Sequence, residues 1–381
     1  MKQSGFLSAV VVLALMPLAG EGQEAPRRER DGWVRTYTGT LPAAARLRVN
    51  GHGPVTVNAG GSAAFSFSVR LSVRARSEGE ARRILDRAPL QVVTQGDTLV
   101  LTAPGGAIMA RVLVKAPRLG AVAIGTSDGA VEATGIDGTL DVNSRAGEIA
   151  VDRVRGKCTL ITGGGDVHIG TVDGPLECTT NGGNISLKLA RGDARLETYG
   201  GDISADQVDG VVRAQTAGGG VHIRLAGASV TATSGGGEIV IEKANGTVTA
   251  HNMAGPVEVG AAAGVHCESA SGGVRLSRIS GPMRVSTSMG NILADLAGAR
   301  LADSILATAS GDITVLIPSN LGVTIRAENA MADSMRRIIS DFPGIASRRQ
   351  GSRLVATGAV NGGGPLLQIS DTGGTIFIRK Q

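Results

Sequence analysis

The chain has 381 residues, 57 of them Gly, with one Trp, two Tyr and five Phe, so any core must come from Val, Ile, Leu, Ala and Thr, types that suit strands. Net charge is +5 from 38 basic and 33 acidic residues that are well interspersed; without aromatic platforms this is a poor nucleic-acid signature, and no nucleic-acid partner is expected.

At the N-terminus, Lys2 precedes the uninterrupted apolar run FLSAVVVLALMPL (Phe6 to Leu18), followed by small residues at Gly20 and Gly22. Thirteen apolar residues fall short of the roughly 20 that span a bilayer, so residues 1–22 read as a cleaved signal peptide. The protein is therefore expected to be exported, to the periplasm, the cell surface or the medium, with no transmembrane segment in the mature chain. No Cys lies nearby to carry a lipid. Residues 23–44, beginning QEAPRRERDG, are expected to be a flexible linker.

Residues 45–120 alternate apolar and polar positions in RLRVN, PVTVN, FSFSVRLSV, TLVLTA and ARVLVKA, which predicts an N-terminal β cap. It carries one short helix over 77–88, with apolar spacing through Ala81, Ile84, Leu85 and Ala88, Ser77 as cap and Glu80 three residues on.

Residues 121–318 are periodic. Taking the second Gly of each G-G phrase as position zero, it recurs at Gly129, Gly147, Gly165, Gly183, Gly201, Gly219, Gly237 and Gly255, each eighteen after the last. It continues at Gly272, Gly290 and Gly311 after a one-residue deletion and a three-residue insertion. Two residues after zero stand Val131, Ile149, Val167, Ile185, Ile203, Val221, Ile239, Val257, Val274, Ile292 and Ile313, and the positions seven and five before and four after are likewise apolar. Each unit thus holds two short strands with one face inward. Such a unit cannot bury that face alone, so units must stack. The prediction is an all-β fold, a single-stranded parallel β-helix (β-solenoid) of about 18 residues per coil, wound right-handed and on the order of 50 Å long. A left-handed hexapeptide helix would need an inward aliphatic every sixth residue, and a calcium β-roll would need the nonapeptide G-G-x-G-x-D-x-U-x; neither pattern is present. Residues 319–381 are expected to form a C-terminal capping segment and last coil, in which DTGGTIFI, with Gly374 at position zero, covers the open edge of the stack.

Two polar columns invite a functional reading. Three residues before zero lie Thr126, Ser144, Thr162, Thr180, Thr198, Thr216, Ser234, Asn252, Ser269, Thr287 and Thr308, which read as a structural hydrogen-bond ladder. Just after zero lie Glu148, Asp166, Asn184, Asp202, Glu238, Asn291 and Asp312, suited to tight turns; no metal site is assigned to them. Outward, Lys188, Asp206, Arg224 and Glu242 alternate in sign and predict an electrostatic ladder between coils.

Catalytic signals are thin. His168 and His222 share an outward column three coils apart, His251 and His266 fall in other columns, and His52 lies in the cap. Neither G-x-S-x-G nor H-E-x-x-H occurs. Outward carboxylates such as Glu177 and Glu197 form no cluster, so no catalytic, cofactor-binding or metal residue is assigned and no cofactor is expected. Cys158, Cys178 and Cys267 fall in inward columns and are expected to be buried free thiols, Cys158 and Cys178 being offset by two residues on adjacent coils.

The T-x-G-G-D-I phrases, SGDITVLIPSN and the ending VNGGGPLLQISDTGGTIFIRK together resemble the bacterial putative-adhesin family of β-strand-repeat domains, a domain family of unknown function related to autotransporter-head adhesins, over roughly residues 45 to 380. The resemblance implies an exported, envelope-associated parallel β-helix with no catalytic residues to carry over. The expected function is non-enzymatic, an adhesin-like binding or structural role toward an unknown envelope component, surface or polymer. A polysaccharide-acting β-helix enzyme is the alternative.

Overall fold

The structure, a computed structural model, describes residues 25–30, 32–41, 43–296, 300–331 and 337–381. The expected signal peptide, 1–22, lies outside the described residues. Among those that are described, one helix accompanies strands throughout, and the solenoid is the one the period predicts. Each coil sends one strand to each of two sheets, so that Val131, Ile149, Val167, Ile185, Ile203 and Val221 pair in parallel register up one sheet. Leu140, Cys158, Leu176, Ala194, Val212 and Val230 do the same up the other. Alternation of side chains along each strand turns these columns toward one another, and the core between the sheets is a stack of buried Val, Ile, Leu and Ala. The coil corners are narrow enough that a Cβ on Gly201 would come within 2.1 Å of the Gly183 carbonyl, which is why position zero admits only glycine there.

The ends depart from the sequence reading in an informative way. Residues 45–120 are more than a cap. Arg46–Gly51 and Val55–Ala59 form a full coil, and Thr98–Thr102 and Ile108–Ala116 form another. The stacking order is not the chain order. The coil of 46–59 lies between the coil of 98–116 and that of 121–136, because Arg46–Gly51 pairs with both Thr98–Thr102 and Ala121–Thr126, and Val55–Ala59 pairs with both Ile108–Ala116 and Val131–Ile136. The C-terminus mirrors this. Leu366–Asp371 sits between Ser304–Ser310 and Val323–Asn329, and Ile376–Lys380 between Ile313–Ile317 and Ile338–Ser340. DTGGTIFI therefore does not cover the edge of the stack; it is inserted beneath the coil that precedes it in sequence.

The true covers are antiparallel. Beyond the coil of 98–116, Ser66–Val73, Gly32–Thr40 and Arg27–Glu29 add successively to one sheet, and Gln91–Gln95 to the other. The expected flexible linker over 23–44 is thus ordered across Gly32–Thr40, because its TYTGT alternation continues the pairing surface left by FSFSVRLSV. At the far end Arg353–Val360 and the exposed strand Ala346–Gln350 close one sheet. The outermost strands are short and bear charges such as Arg28, Glu29, Arg348 and Arg349, which blunts an edge that would otherwise pair with another chain.

The helix, Glu78–Arg87, is where the sequence places it. Ser77 Oγ accepts from Glu80 N, and Glu80 returns the bond by accepting from Arg76 N. Ala81 and Leu85 are fully buried against the antiparallel cover. Arg35, 3% exposed, donates Nη1 to Asp86 of the helix at 2.7 Å and pins it in place.

Candidate functional site

Four kinds of surface recur with every coil: two corners and two outward sheet faces. The G-G corner is the best determined. Thr198 Oγ1 donates to Gly183 O of the preceding coil (2.9 Å) and accepts from Gly201 N of its own (3.2 Å). Thr162, Thr180, Thr216 and Ser234 repeat this pair of bonds. The column is buried, so these hydroxyls hold corner to corner and present no binding face. Where the last inserted coil reaches this column the residue is Asp371, 0% exposed, which accepts from Gly373 N and Gly374 N; burial pushes its carboxyl above the ordinary range.

The acid and amide column is a second staple. Asp166 Oδ1 accepts from Asn184 N, Asn184 Oδ1 from Asp202 N and Asp202 Oδ1 from Gly220 N, at 2.7, 2.8 and 2.7 Å. Asn291 and Asp312 continue it to Thr375, across the out-of-order insertion. These oxygens are directed along the stack at backbone amides.

One corner position remains without a structural reason. Immediately before position zero, five successive coils carry Gly164, Gly182, Gly200, Gly218 and Gly236, all exposed. A Cβ would meet nothing within 4 Å at Gly164 and Gly182, and its nearest atom would be 3.7 Å away at Gly200 and 3.5 Å at Gly218; only Gly236, at 3.2 Å, is tight. None of the five has a left-handed φ. Coils on either side carry Asp128, Ala146, Ala254, Ser271, Met289 and Ser310 at the same place, so the fold accepts side chains there. The result is a strip of bare backbone about 20 Å long, with Tyr199, 67% exposed, next to its middle glycine.

The opposite corner holds the charge ladder. The expected ladder of Lys188, Asp206, Arg224 and Glu242 does not form: among the described residues no ion pair joins these four to one another, and Glu242 turns to His222 at 3.2 Å. Alternation instead runs through Asp137, Arg155, Asp173, Arg191 and Asp209, each directly before a corner glycine. Arg155 Nη1 reaches Asp137 at 2.8 Å, Arg118 Nε reaches the other Asp137 oxygen at 3.4 Å, and Arg191 Nε reaches Asp173 at 3.4 Å. The eighteen-residue D-G, R-G, D-G, R-G, D-G spacing was available in the sequence as a signal. Side chains here leave a tight corner in one direction, whereas those of the expected ladder sit where the strand pairing skips a residue, between Leu187↔Ala205 and Leu189↔Gln207.

On the sheet faces, Glu177 pairs with Lys157 and Glu197 with Arg195, so the two outward carboxylates are neutralised singly. His168 pairs with Glu148 and stands three coils from His222, as the period requires. His251 and His266 are closer than separate columns suggest. Their rings lie 6.1 Å apart and both reach Glu268, at 3.4 and 3.3 Å, because columns two residues apart on adjacent paired strands are diagonal neighbours: His251 pairs with Glu268 and Thr249 with His266. His52, from the out-of-order coil, contacts Ser127 of the coil stacked on it. The three thiols are buried; burial pushes Cys158 and Cys267 up to about 12 and Cys178 higher still, which leaves them protonated and inert. Cys158 aligns with Leu176 and Cys178 with Leu160, the two-residue offset that keeps them unbridged.

No curated protein matches the chain. Among solved structures, a "putative adhesin" from Bacteroides fragilis is matched at 13% identity over 74% of this chain and 98% of its own, with a TM-score of 0.30. A "putative cell adhesion protein" from Clostridium sporogenes is matched at 8% identity over 91% of this chain and 100% of its own, with a TM-score of 0.16. Residues 97–260 match the model of the family described as Toastrack DUF4097, so the central coils, which carry the T-x-G-G-D-I phrases, are similar to the Toastrack domains, whose function is unknown.

Proposed function

We propose that the protein is a non-enzymatic, adhesin-like binding protein that lays one corner of its solenoid against an envelope component, a surface or a polymer. The observation that carries this reading is the strip of Gly164, Gly182, Gly200, Gly218 and Gly236. At a position whose backbone tolerates Ala, glycine forgoes about 0.4–1 kcal/mol through the freedom it adds to the unfolded chain, and here most of the positions have room for a side chain. A partner that must approach the backbone closely accounts for keeping it bare, and Tyr199 offers that partner an amphipathic contact beside the strip. Export, to the periplasm, the surface or the medium, is part of the proposal and rests on the basic and apolar character of residues 1–22.

The test is to place long side chains where the fold leaves space. Gly164→Gln, Gly182→Gln and Gly200→Gln combined should preserve the circular dichroism and thermal midpoint of the mature chain while abolishing its retention on envelope fractions and glycan arrays. Retention unchanged by the triple substitution would remove the strip from the proposal. Release of a reaction product from any retained glycan, lost on substitution of a single carboxylate, would replace it with the enzymatic reading.

A further inference from the structure

The charge-ladder corner, on the opposite edge of the solenoid from the glycine strip, opens into a cleft of about 600 Å³ beside the Gly60–Gly61 turn. Arg153, Arg155 and Arg191 line it, with Asp173 between Arg155 and Arg191 and Asp137 on the coil beneath. Arg153 is the unusual member. Its φ is +55°, a left-handed conformation that costs a non-glycine residue on the order of 1 kcal/mol. The coil beneath has Gly135 at this place with φ +75°, so glycine is the residue the backbone prefers. Arg278 is left-handed at the equivalent position of a distant coil, and there its Nε donates to the Gly260 carbonyl at 3.4 Å. Among the described residues Arg153 makes no comparable backbone bond; its Nη1 rests on Asp152 at 3.0 Å, and that carboxylate is in turn held by Thr171 N at 3.0 Å. The left-handed backbone thus carries an arginine, braced on Asp152, at the rim of the cleft.

We propose that this cleft binds the carboxylate groups of an acidic polysaccharide. Arg155 and Arg191 stand two coils apart, about 10 Å, and each is oriented by one Asp contact that leaves further N–H donors open to a carboxylate in the forked geometry guanidinium favours. The intervening Asp173 would repel a ligand charged at every repeat, as a nucleic acid is, but accepts hydrogen bonds from sugar hydroxyls. Alternating guanidinium and carboxylate thus matches a chain that alternates acid and hydroxyl groups along one edge. The inference is independent of the glycine strip.

The probe is hyaluronate, in which a uronic acid alternates with an uncharged sugar, with its methyl-esterified form as the uncharged control, followed by calorimetry on the mature chain. Wild type should bind the acid and not the ester, with affinity falling as salt rises. Arg153→Gly should keep or raise the thermal midpoint, since glycine suits φ +55°, and weaken binding at least fivefold. Arg155→Gln with Arg191→Gln should weaken it more than tenfold, whereas Gly182→Gln with Gly200→Gln should leave it unchanged. Absence of binding by wild type, equal binding of the ester, or undiminished binding by either arginine variant would each overturn the proposal.

Discussion

Thr198→Val is the sharpest test of how the coils are held together. The substitution keeps the shape of the side chain of a residue that is 4% exposed and removes one hydroxyl that serves two backbone groups, Gly183 O at 2.9 Å and Gly201 N at 3.2 Å. Each orphaned group costs about 1–3 kcal/mol, and the added methyl returns about 0.8 kcal/mol. The net expectation is a loss of about 1–5 kcal/mol. Thr198→Ser keeps both bonds and loses only a buried methyl, about 1 kcal/mol. Denaturant unfolding followed by circular dichroism would compare the two. Amide exchange would locate the damage, because in a stack of repeats it should stay near the interface between the Gly183 and Gly201 coils and leave both ends protected. If Thr198→Val proves no worse than Thr198→Ser, the hydroxyl column does not join the coils and the account of the corner fails.

Adjacent glycines should answer differently to the same change. Gly201→Ala drives a Cβ to 2.1 Å from Gly183 O and should cost about 3 kcal/mol or more, whereas Gly200→Ala, with 3.7 Å to its nearest atom, should be neutral or gain up to about 1 kcal/mol in thermal unfolding. The thiols predict an alkaline loss of stability. Unfolded thiols ionise from 9.0 while Cys158 and Cys267 hold their protons to about 12, so the unfolded state binds fewer protons in that window and stability falls by up to about 1.4 kcal/mol per pH unit for each thiol. Cys158→Ala should flatten that slope by one share, and thiol reagents at neutral pH should modify the chain only after denaturant is added. Asp371, raised above its ordinary 3.8 by burial, works in the same direction on the acid side: the folded state holds the proton to higher pH, so stability gains as pH falls through the raised value towards 3.8. Asp371→Asn keeps an acceptor for Gly374 N and should abolish that gain in unfolding curves taken across the acid range.

Much of this architecture is legible in the sequence. Period-two alternation inside an eighteen-residue frame leaves one way to bury each unit, so the strands, their inward columns, the corner glycines, the hydroxyl ladder and the buried thiols all follow from position in the frame. Ser77 and Glu80 likewise announce the helix start locally. The candidate sites are less legible because they depend on what the frame leaves over. The glycine strip shows in the sequence as five G-G pairs, yet only the space around a Cβ separates Gly201, which must be glycine, from Gly200, which need not be.

Tertiary structure alone decided the rest, and the reason is the same at both ends. Alternation tells a strand which face is inward, but not which strand lies beside it. The excursion through residues 60–97 separates the coil of 46–59 from its sequence neighbours, and only pairing reveals that it is clasped between 98–116 and 121–136. The excursion through Ala346–Gln350 and Arg353–Val360 does the same for 366–380. The charge ladder was likewise settled by direction: Arg155 and Asp137 point along one corner and meet, while Lys188 and Asp206 sit where the pairing skips. Repetition in the sequence determined the coil; contact between distant segments determined the order of the coils and which side chains on the finished surface come together.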